Sequence, residues 1–180
     1  MFKKIIRYYA TRLLFKAYQN RQRSTRIKTL KNSKNVGILW NPQDDGSVET
    51  YELLRKTLQA RGIQSAGIAH ISSSNEMELL TTETHSGFLD KRNLGWFGRP
   101  KTNVGMHFIR ESFDILIDLS IIKTVALQYI LVYSQAIFKV GWQGIEPNYY
   151  DLNIDVTEKP QCRYLMEQIV YYLENINEKS

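Results

Sequence analysis

Short apolar runs of strand type alternate with helical segments along most of this chain, and that alternation restricts its fold more than any other feature. The stretch FDILIDLS, residues 113–120, is the clearest such strand, and four similar runs are KNVGILWNP, IQSAGIAHI, AIFKVGW and YYDLNIDV. Nearly continuous apolar strands separated by helices are typical of a parallel sheet that is covered on both faces. The sequence therefore predicts an α/β protein with a Rossmann-like, mostly parallel sheet and helices on both faces.

Helical segments lie between these strands. SVETYELLRKTLQARG has Ser47 as a candidate N-cap and Gly62 as a stop signal, and a last helix is expected from about Pro160 to Ile176. Two further helices are expected in SIIKTVALQYILVYS and, as a short segment, in ISSSNEMELLTT. The glycine-punctuated connection THSGFLDKRNLGWFGRPKTNVG is expected to hold one irregular strand.

The positive charge of the chain is concentrated at its beginning. Residues 1–34 hold 11 Lys and Arg and no Asp or Glu, whereas the remaining residues have a net charge of −5. We therefore divide the chain into a basic N-terminal helical arm, residues 1–34, and a Rossmann-like domain, residues 35–180. Such asymmetry indicates an anionic partner for the arm, either nucleic acid or a membrane surface. The candidate phosphate-binding cations are Lys3, Lys4, Arg7, Arg12, Lys16, Arg21, Arg23, Arg26, Lys28, Lys31 and Lys34.

The two halves of the arm differ in character. Residues 2–17 predict an amphipathic helix whose apolar stripe suits a membrane, a partner protein or the protein's own sheet; the stripe is Phe2, Ile5, Ile6, Tyr9, Leu13 and Ala17. Residues 18–34 space six cations among Gln, Asn, Ser and Thr, a pattern that suits contacts to RNA phosphates and 2′-hydroxyls. Anionic lipid also binds polybasic segments. A helix simply packed on the domain is a third interpretation, which the lack of compensating carboxylates disfavours.

A second basic segment lies inside the domain. In LDKRNLGWFGRPKT, the cations Lys91, Arg92, Arg99 and Lys101 flank Trp96 and Phe97. Aromatic rings beside cations could stack on bases while phosphates are held. The alternative is that both rings fill the core beneath a long loop, since aromatic side chains are usually buried.

Signs of catalysis are weak. The loop WNPQDDGS after the first strand lacks the GxGxxG pattern of dinucleotide-binding proteins, so we expect no cofactor. Asp44, Asp45 and Asp118 would meet if the first strand paired with FDILIDLS, which would suit a metal-dependent enzyme. Carboxylates in turns are common without any function, however. The single cysteine, Cys162, suits a reducing compartment.

Four motifs, FLDKRNLGWFGRPK, FDILIDLS, SQAIFKVGW and YDLNIDV, support a resemblance that covers most of residues 35–176. The chain resembles a family of uncharacterised small bacterial proteins, a domain of unknown function, which implies no activity. More distantly, FDILIDLS followed by a helix and AIFKVGW looks like the N-terminal lobe of heptosyltransferase-type glycosyltransferases. At this length we do not expect the second lobe that would bind a nucleotide sugar, and no matching catalytic residue can be carried over.

Together these features favour a non-catalytic, cytoplasmic protein that binds RNA through its basic arm, with the ribosome or an assembling subunit, and its proteins, as partner. The alternatives are a peripheral membrane protein whose arm lies on anionic lipid and a metal-dependent enzyme. The most apolar window, IIKTVALQYILVYSQAIFKV, is interrupted by Lys123, Gln128, Gln135 and Lys139 and is not expected to span a membrane.

Overall fold

The computed structural model describes residues 2–72, 86–144 and 146–177, with side chains from Arg7 onward. Within these ranges six strands form one sheet; they are β1 (Asn35–Trp40), β2 (Gln64–His70), β3 (Ser86–Leu89), β4 (Ile115–Asp118), β5 (Phe138–Gly141) and β6 (Leu152–Asn153). Their order is β3-β2-β1-β4-β5-β6, and every neighbouring pair is parallel. The predicted Rossmann-like α/β fold is confirmed.

The helices agree with the predicted pattern in part. They are α1 (Phe2–Asn20), α2 (Ser47–Ala60), α3 (Asn103–Arg110), α4 (Val125–Tyr133) and α5 (Cys162–Asn175). Helix α3 was not expected from the sequence, and α2 has Gly46 rather than Ser47 at its N-cap. The short helix expected in ISSSNEMELLTT lies, apart from its first two residues, outside the described residues. Among the helices that the structure describes, none has the length and apolar character needed to cross a membrane.

Helix α4 begins five residues later than the first residue of the segment assigned to it. Thr124 precedes it in extended conformation, and its hydroxyl accepts a hydrogen bond from the backbone N–H of Leu127 at 3.4 Å. This side-chain cap satisfies an N–H group that has no partner inside the helix. Thr124 therefore fixes the start of α4, and the preceding residues form the loop that follows β4.

The sheet separates two apolar cores, because alternate side chains of each strand point to opposite faces. One core holds Ile38 and Trp40 of β1 and is covered by α2 and α5; it includes a stacked pair, Trp40 and Tyr51, whose ring centroids lie 4.8 Å apart. The other core holds Leu39 of β1 and is covered by α1, α3 and α4. The basic N-terminal helix thus forms part of one core.

The packed face of α1 differs from the apolar stripe that the sequence suggests. Ala10 and Leu14 are buried, with relative exposures of 1% and 3%, and α1 packs against α4. Tyr9 and Leu13, two members of the stripe, are 55% and 54% exposed. Leu14 joins the core that α4 covers. Of the stripe residues whose side chains the structure describes, Tyr9 and Leu13 thus face solvent, while Ala17 is partly buried against the core.

This packing predicts different effects for two adjacent leucines. Replacing Leu14 by Ala should lower the free energy of unfolding by about 2–4 kcal/mol, because a buried side chain is lost and a cavity remains. The matched change Leu13→Ala should have an effect within about 0.5 kcal/mol, because Leu13 is exposed. Urea denaturation of both variants measures the difference. Equal effects would contradict the docking of α1 through Leu14.

Candidate nucleic-acid interface

The fold brings the two basic segments of the sequence together. Helix α1 packs against the turn Trp96–Gly98 as well as against α4, and that turn also contacts α4. We call the exposed basic, aromatic and aliphatic side chains of α1 and of residues 96–101 the α1–Trp96 surface; its members are Arg7, Tyr8, Tyr9, Arg12, Leu13, Phe15, Lys16, Trp96, Phe97, Arg99 and Lys101. Two segments that are far apart in the sequence are thus adjacent in the fold.

This surface is rich in cations. Arg7, Arg12 and Lys16 of α1 are exposed, and residues 1–34 provide no carboxylate that could neutralise them. The side chains of Lys3 and Lys4 lie outside the described residues. Exposed cations without acidic neighbours create a positive potential that attracts anionic polymers.

The Trp96 turn is held by a short hairpin-like connection. Leu94 and Pro100 form an antiparallel bridge. The N–H of Gly95 donates to the carbonyl of Arg99 at 2.7 Å, and the N–H of Lys101 donates to the carbonyl of Asn93 at 2.8 Å. These contacts close the chain on both sides of the turn. Trp96 stands at the tip with 83% of its surface exposed, so it does not fill the core as the alternative interpretation expected.

The tip has an unusual backbone conformation. Phe97 has φ of +59° and Gly98 has φ of +74°, so two successive residues adopt the left-handed conformation. A non-glycine residue in that conformation is uncommon and costs free energy, so the surrounding contacts must hold it. A Cβ atom at position 98 would lie 3.0 Å from Val125 Cγ1, which shows that the turn rests directly on α4. The contact with α4 therefore holds the backbone of the turn that presents Trp96.

Arg92 is engaged within the same connection. Its guanidinium donates to Asp90 Oδ2 through Nε and Nη2 at 2.9 and 2.6 Å, while Asp90 Oδ1 accepts the backbone N–H groups of Arg92 and Asn93. The hydrogen bond from Arg92 lowers the pKa of Asp90. Arg92 is thus exposed but paired with Asp90 of the same loop, and Arg99 and Lys101 are exposed as well.

Three cations of the segment after α1 attach that segment to the domain. Arg21 donates to the carbonyl of Val132 at 2.8 Å, Lys28 Nζ lies 3.0 Å from Asp114 Oδ1, and Arg23 binds both carboxylate oxygens of Asp151 at 2.5 and 2.6 Å. Arg23 also donates to the carbonyls of Ala136 and Ile137. These three side chains act as structural anchors.

The other three cations of this segment, Arg26, Lys31 and Lys34, are exposed. Lys31 lies in the turn Leu30–Asn32, which contacts α5 and buries Leu30 in the core on the other face of the sheet from α1.

Lys139 of β5 lies buried beside this attachment. Its ammonium donates to the carbonyl of Leu131 at 2.5 Å, and its backbone N–H donates to Asp151. Burial, together with the nearby charges of Arg23 and Arg21, lowers the pKa of Lys139 from 10.5 to about 7, against the opposing effect of Asp151. No sequence pattern indicated this burial, because Lys139 was identified only as an interruption of an apolar window.

The carboxylates proposed as metal ligands lie where Rossmann-like folds commonly bind ligands. Strand order reverses between β1 and β4, whose carboxyl ends are adjacent, and Leu39 pairs with Asp118 there. Asp118 Oδ1 accepts from the Ser120 hydroxyl at 2.6 Å, and Asp118 Oδ2 accepts from the Tyr150 hydroxyl at 2.5 Å. Lys123 Nζ lies 3.2 Å from Asp118 Oδ2. Strands β1 and β4 are thus neighbours, as the metal-site interpretation required. Both oxygens of the Asp118 carboxylate, however, already accept hydrogen bonds from protein side chains.

Both carboxylate oxygens of Asp44 also accept hydrogen bonds from the protein itself. Its two oxygens accept the backbone N–H groups of Ile121 and Ile122 at 2.8 and 2.9 Å, whereas Asp45 is exposed. Within the described ranges, no three His, Cys, Asp or Glu side chains come together as metal ligands would. Asp44 thus acts as a bridge between the loops after β1 and β4.

Lys123 and Tyr150 complete this cluster and were not identified from the sequence. Burial lowers the pKa of Lys123, and burial together with the Asp118 charge raises the pKa of Tyr150 well above 10. Tyr150 lies 32 residues from Asp118, and no motif links the two. The cluster is a closed hydrogen-bond network between β4, the loop after it and the segment before β6.

The chain belongs to a family of unknown function (DUF6913), whose model matches residues 3–176. The match includes the basic N-terminal helix as well as the sheet, and it confirms the expected resemblance to an uncharacterised domain. No curated protein matches the chain.

The anchoring contacts predict that two arginines three residues apart differ in their structural importance. Arg23→Gln should destabilise the attachment by about 1.5–3 kcal/mol, because Asp151 loses its charged hydrogen-bond partner. Amide hydrogen exchange of α1 and the segment after it should accelerate accordingly. The control Arg26→Gln removes an exposed charge and should leave exchange rates unchanged. Equal protection in both variants would contradict the anchoring role.

Buried Lys139 predicts a stability that increases with pH. Between pH 7 and 8.5 the unfolded chain keeps a proton on Lys139 that the folded protein releases, since the folded pKa is about 7 and the ordinary value is 10.5. The free energy of unfolding should therefore rise by up to about 1 kcal/mol per pH unit from this group. Urea denaturation of the wild type and of Lys139→Met at several pH values isolates the contribution. The same rise in Lys139→Met would show that other groups cause it.

Proposed function

We propose that this member of a family of unknown function is a non-catalytic, cytoplasmic protein that binds RNA through the α1–Trp96 surface, with the ribosome or an assembling subunit as its partner. The observation that carries the proposal is the position of an 83% exposed tryptophan on a fixed turn next to a helix with cations but no carboxylate. RNA offers both chemical groups that such a surface can bind, namely phosphates and bases.

The cations divide into two groups in this proposal. Arg21, Arg23 and Lys28 fix the segment on the domain, and phosphate contacts come from the exposed cations. On the α1–Trp96 surface these are Arg7, Arg12, Lys16, Arg99 and Lys101. Arg26 and Lys34 are further exposed candidates, whereas Lys31 lies beside α5. A helix of 19 residues is roughly 28 Å long, which allows contacts to several successive phosphates.

The sheet domain serves as the scaffold in this proposal. Helix α1 is held by Leu14 in the core and by the anchors that follow it, while the Trp96 turn rests on α4. A surface held in one geometry loses little conformational entropy on binding. In this proposal the α1–Trp96 surface makes the contacts to RNA, and the sheet domain holds that surface in position.

A second candidate function is attachment to an anionic membrane. The observation that favours it is the exposure of Tyr9, Leu13 and Phe15 on the same helix as Arg12 and Lys16. Amphipathic helices with aromatic, aliphatic and basic side chains lie in the interface of lipid bilayers. Each cation there contributes about 1 kcal/mol.

To separate the RNA partner from the membrane partner, the intact protein is purified from lysate with and without nuclease treatment, and the particles or membranes that accompany it are identified. We expect ribosomal particles to accompany the wild type and to be lost after nuclease treatment. The triple variant Arg12→Gln, Lys16→Gln, Arg26→Gln should weaken RNA binding and reduce the log–log salt slope by about 0.7–0.9 per lost phosphate contact.

The control for charge is a triple variant on the opposite face, Lys56→Gln, Lys159→Gln, Arg163→Gln, which should bind like the wild type. Leu13→Ser should have a small effect on RNA binding but a large effect on lipid binding, because it removes a side chain that would be buried in the bilayer. Co-purification with vesicles and not with RNA would refute the leading proposal and support the second.

A further inference from the structure

The Trp96 turn has features that exposed basic helices alone do not have. Its indole is 83% exposed, while Trp40 is fully buried and Trp142 is partly buried. A large exposed aromatic ring gains nothing from folding, because its apolar surface remains in water. The left-handed Phe97 adds a conformational cost to this presentation.

The contacts around Trp96 hold its backbone in place and leave the ring uncovered. The hydrogen bonds between Gly95 and Arg99 and between Lys101 and Asn93 close the connection below the tip. Arg99 and Lys101 come three and five residues after Trp96 and are exposed. A flat apolar face is thus presented together with two positive charges.

We propose that Trp96 is a stacking platform for an unpaired nucleotide of RNA, with Arg99 and Lys101 binding the phosphates beside it. This inference rests on the proposed RNA-binding function and adds a preference for single-stranded over double-stranded RNA. Stacking on an aromatic ring requires a base whose face is free, whereas the bases of a continuous duplex cover one another. Contacts from α1 to phosphates do not require unpaired bases.

The test measures the affinity of the full-length protein for two fluorescein-labelled probes, an oligouridylate of roughly 12 nucleotides and a blunt RNA duplex of the same length. Trp96→Leu removes the aromatic face of an exposed side chain, so folding should be preserved, which thermal melting checks. We expect it to lose affinity for the single strand by on the order of ten- to a hundredfold and to bind the duplex unchanged. Trp96→Phe should retain most of the single-strand affinity.

The matched control is Tyr171→Leu. Tyr171 is a 59% exposed aromatic residue on α5, on the opposite face of the sheet, and its loss should change neither affinity. Tryptophan emission should be quenched when the oligouridylate binds the wild type, and Trp96→Phe should abolish that quenching while it still binds.

The outcomes separate this inference from the function on which it rests. If the wild type binds RNA but Trp96→Leu lowers the affinity for both probes equally, or for neither, stacking is refuted and RNA binding stands. If the wild type binds neither probe, both proposals are overturned. Binding to phosphatidylserine vesicles in place of RNA, weakened by Trp96→Leu, would overturn both and assign the ring to a membrane interface.

Discussion

The bidentate contact between Arg23 and Asp151 is the interaction on which the candidate interface depends. Ordering a basic segment against a folded domain costs conformational entropy, and the segment's own cations repel one another. Arg23 offsets both terms, because its guanidinium binds the Asp151 carboxylate and two backbone carbonyls at once. With the segment after α1 attached there and Leu14 buried in the core, α1 becomes a fixed part of the domain surface.

The sheet could be predicted from the sequence because a parallel strand buried on both faces must be almost continuously apolar. FDILIDLS and AIFKVGW show that pattern and became β4 and β5. Helix α3 could not be predicted, since NVGMHFIR begins within a glycine-rich connection and includes Gly105, which disfavours helix. Gly105 is explained by packing, because a Cβ atom there would lie 2.6 Å from Pro100.

The candidate interface was predictable in composition but not in geometry. Cations can be counted along the chain, yet Arg23 and Arg26 have the same side chain and only the tertiary structure shows that one is an anchor and the other is exposed. The docked face of α1 was equally hidden, because hydrophobicity favours Leu13 while the close contact uses Ala10 and Leu14. The burial of Lys139 was hidden for the same reason, because its neighbours Leu131 and Arg23 come from α4 and from the arm.

The central crevice of the fold gives a physical reason to look for function at the surface. In Rossmann-like sheets, ligands bind where the strand order reverses, and they need polar groups that are free to contact them. In this protein Asp118, Ser120, Lys123 and Tyr150 bind one another at that position, and Asp44 binds the backbone beside them. Breaking this network to admit a ligand would leave a buried lysine or carboxylate without its partner, which costs several kcal/mol. The exposed Trp96 and the cations of α1 meet no such cost, because they already face solvent and can bind an anionic partner without any rearrangement of the core.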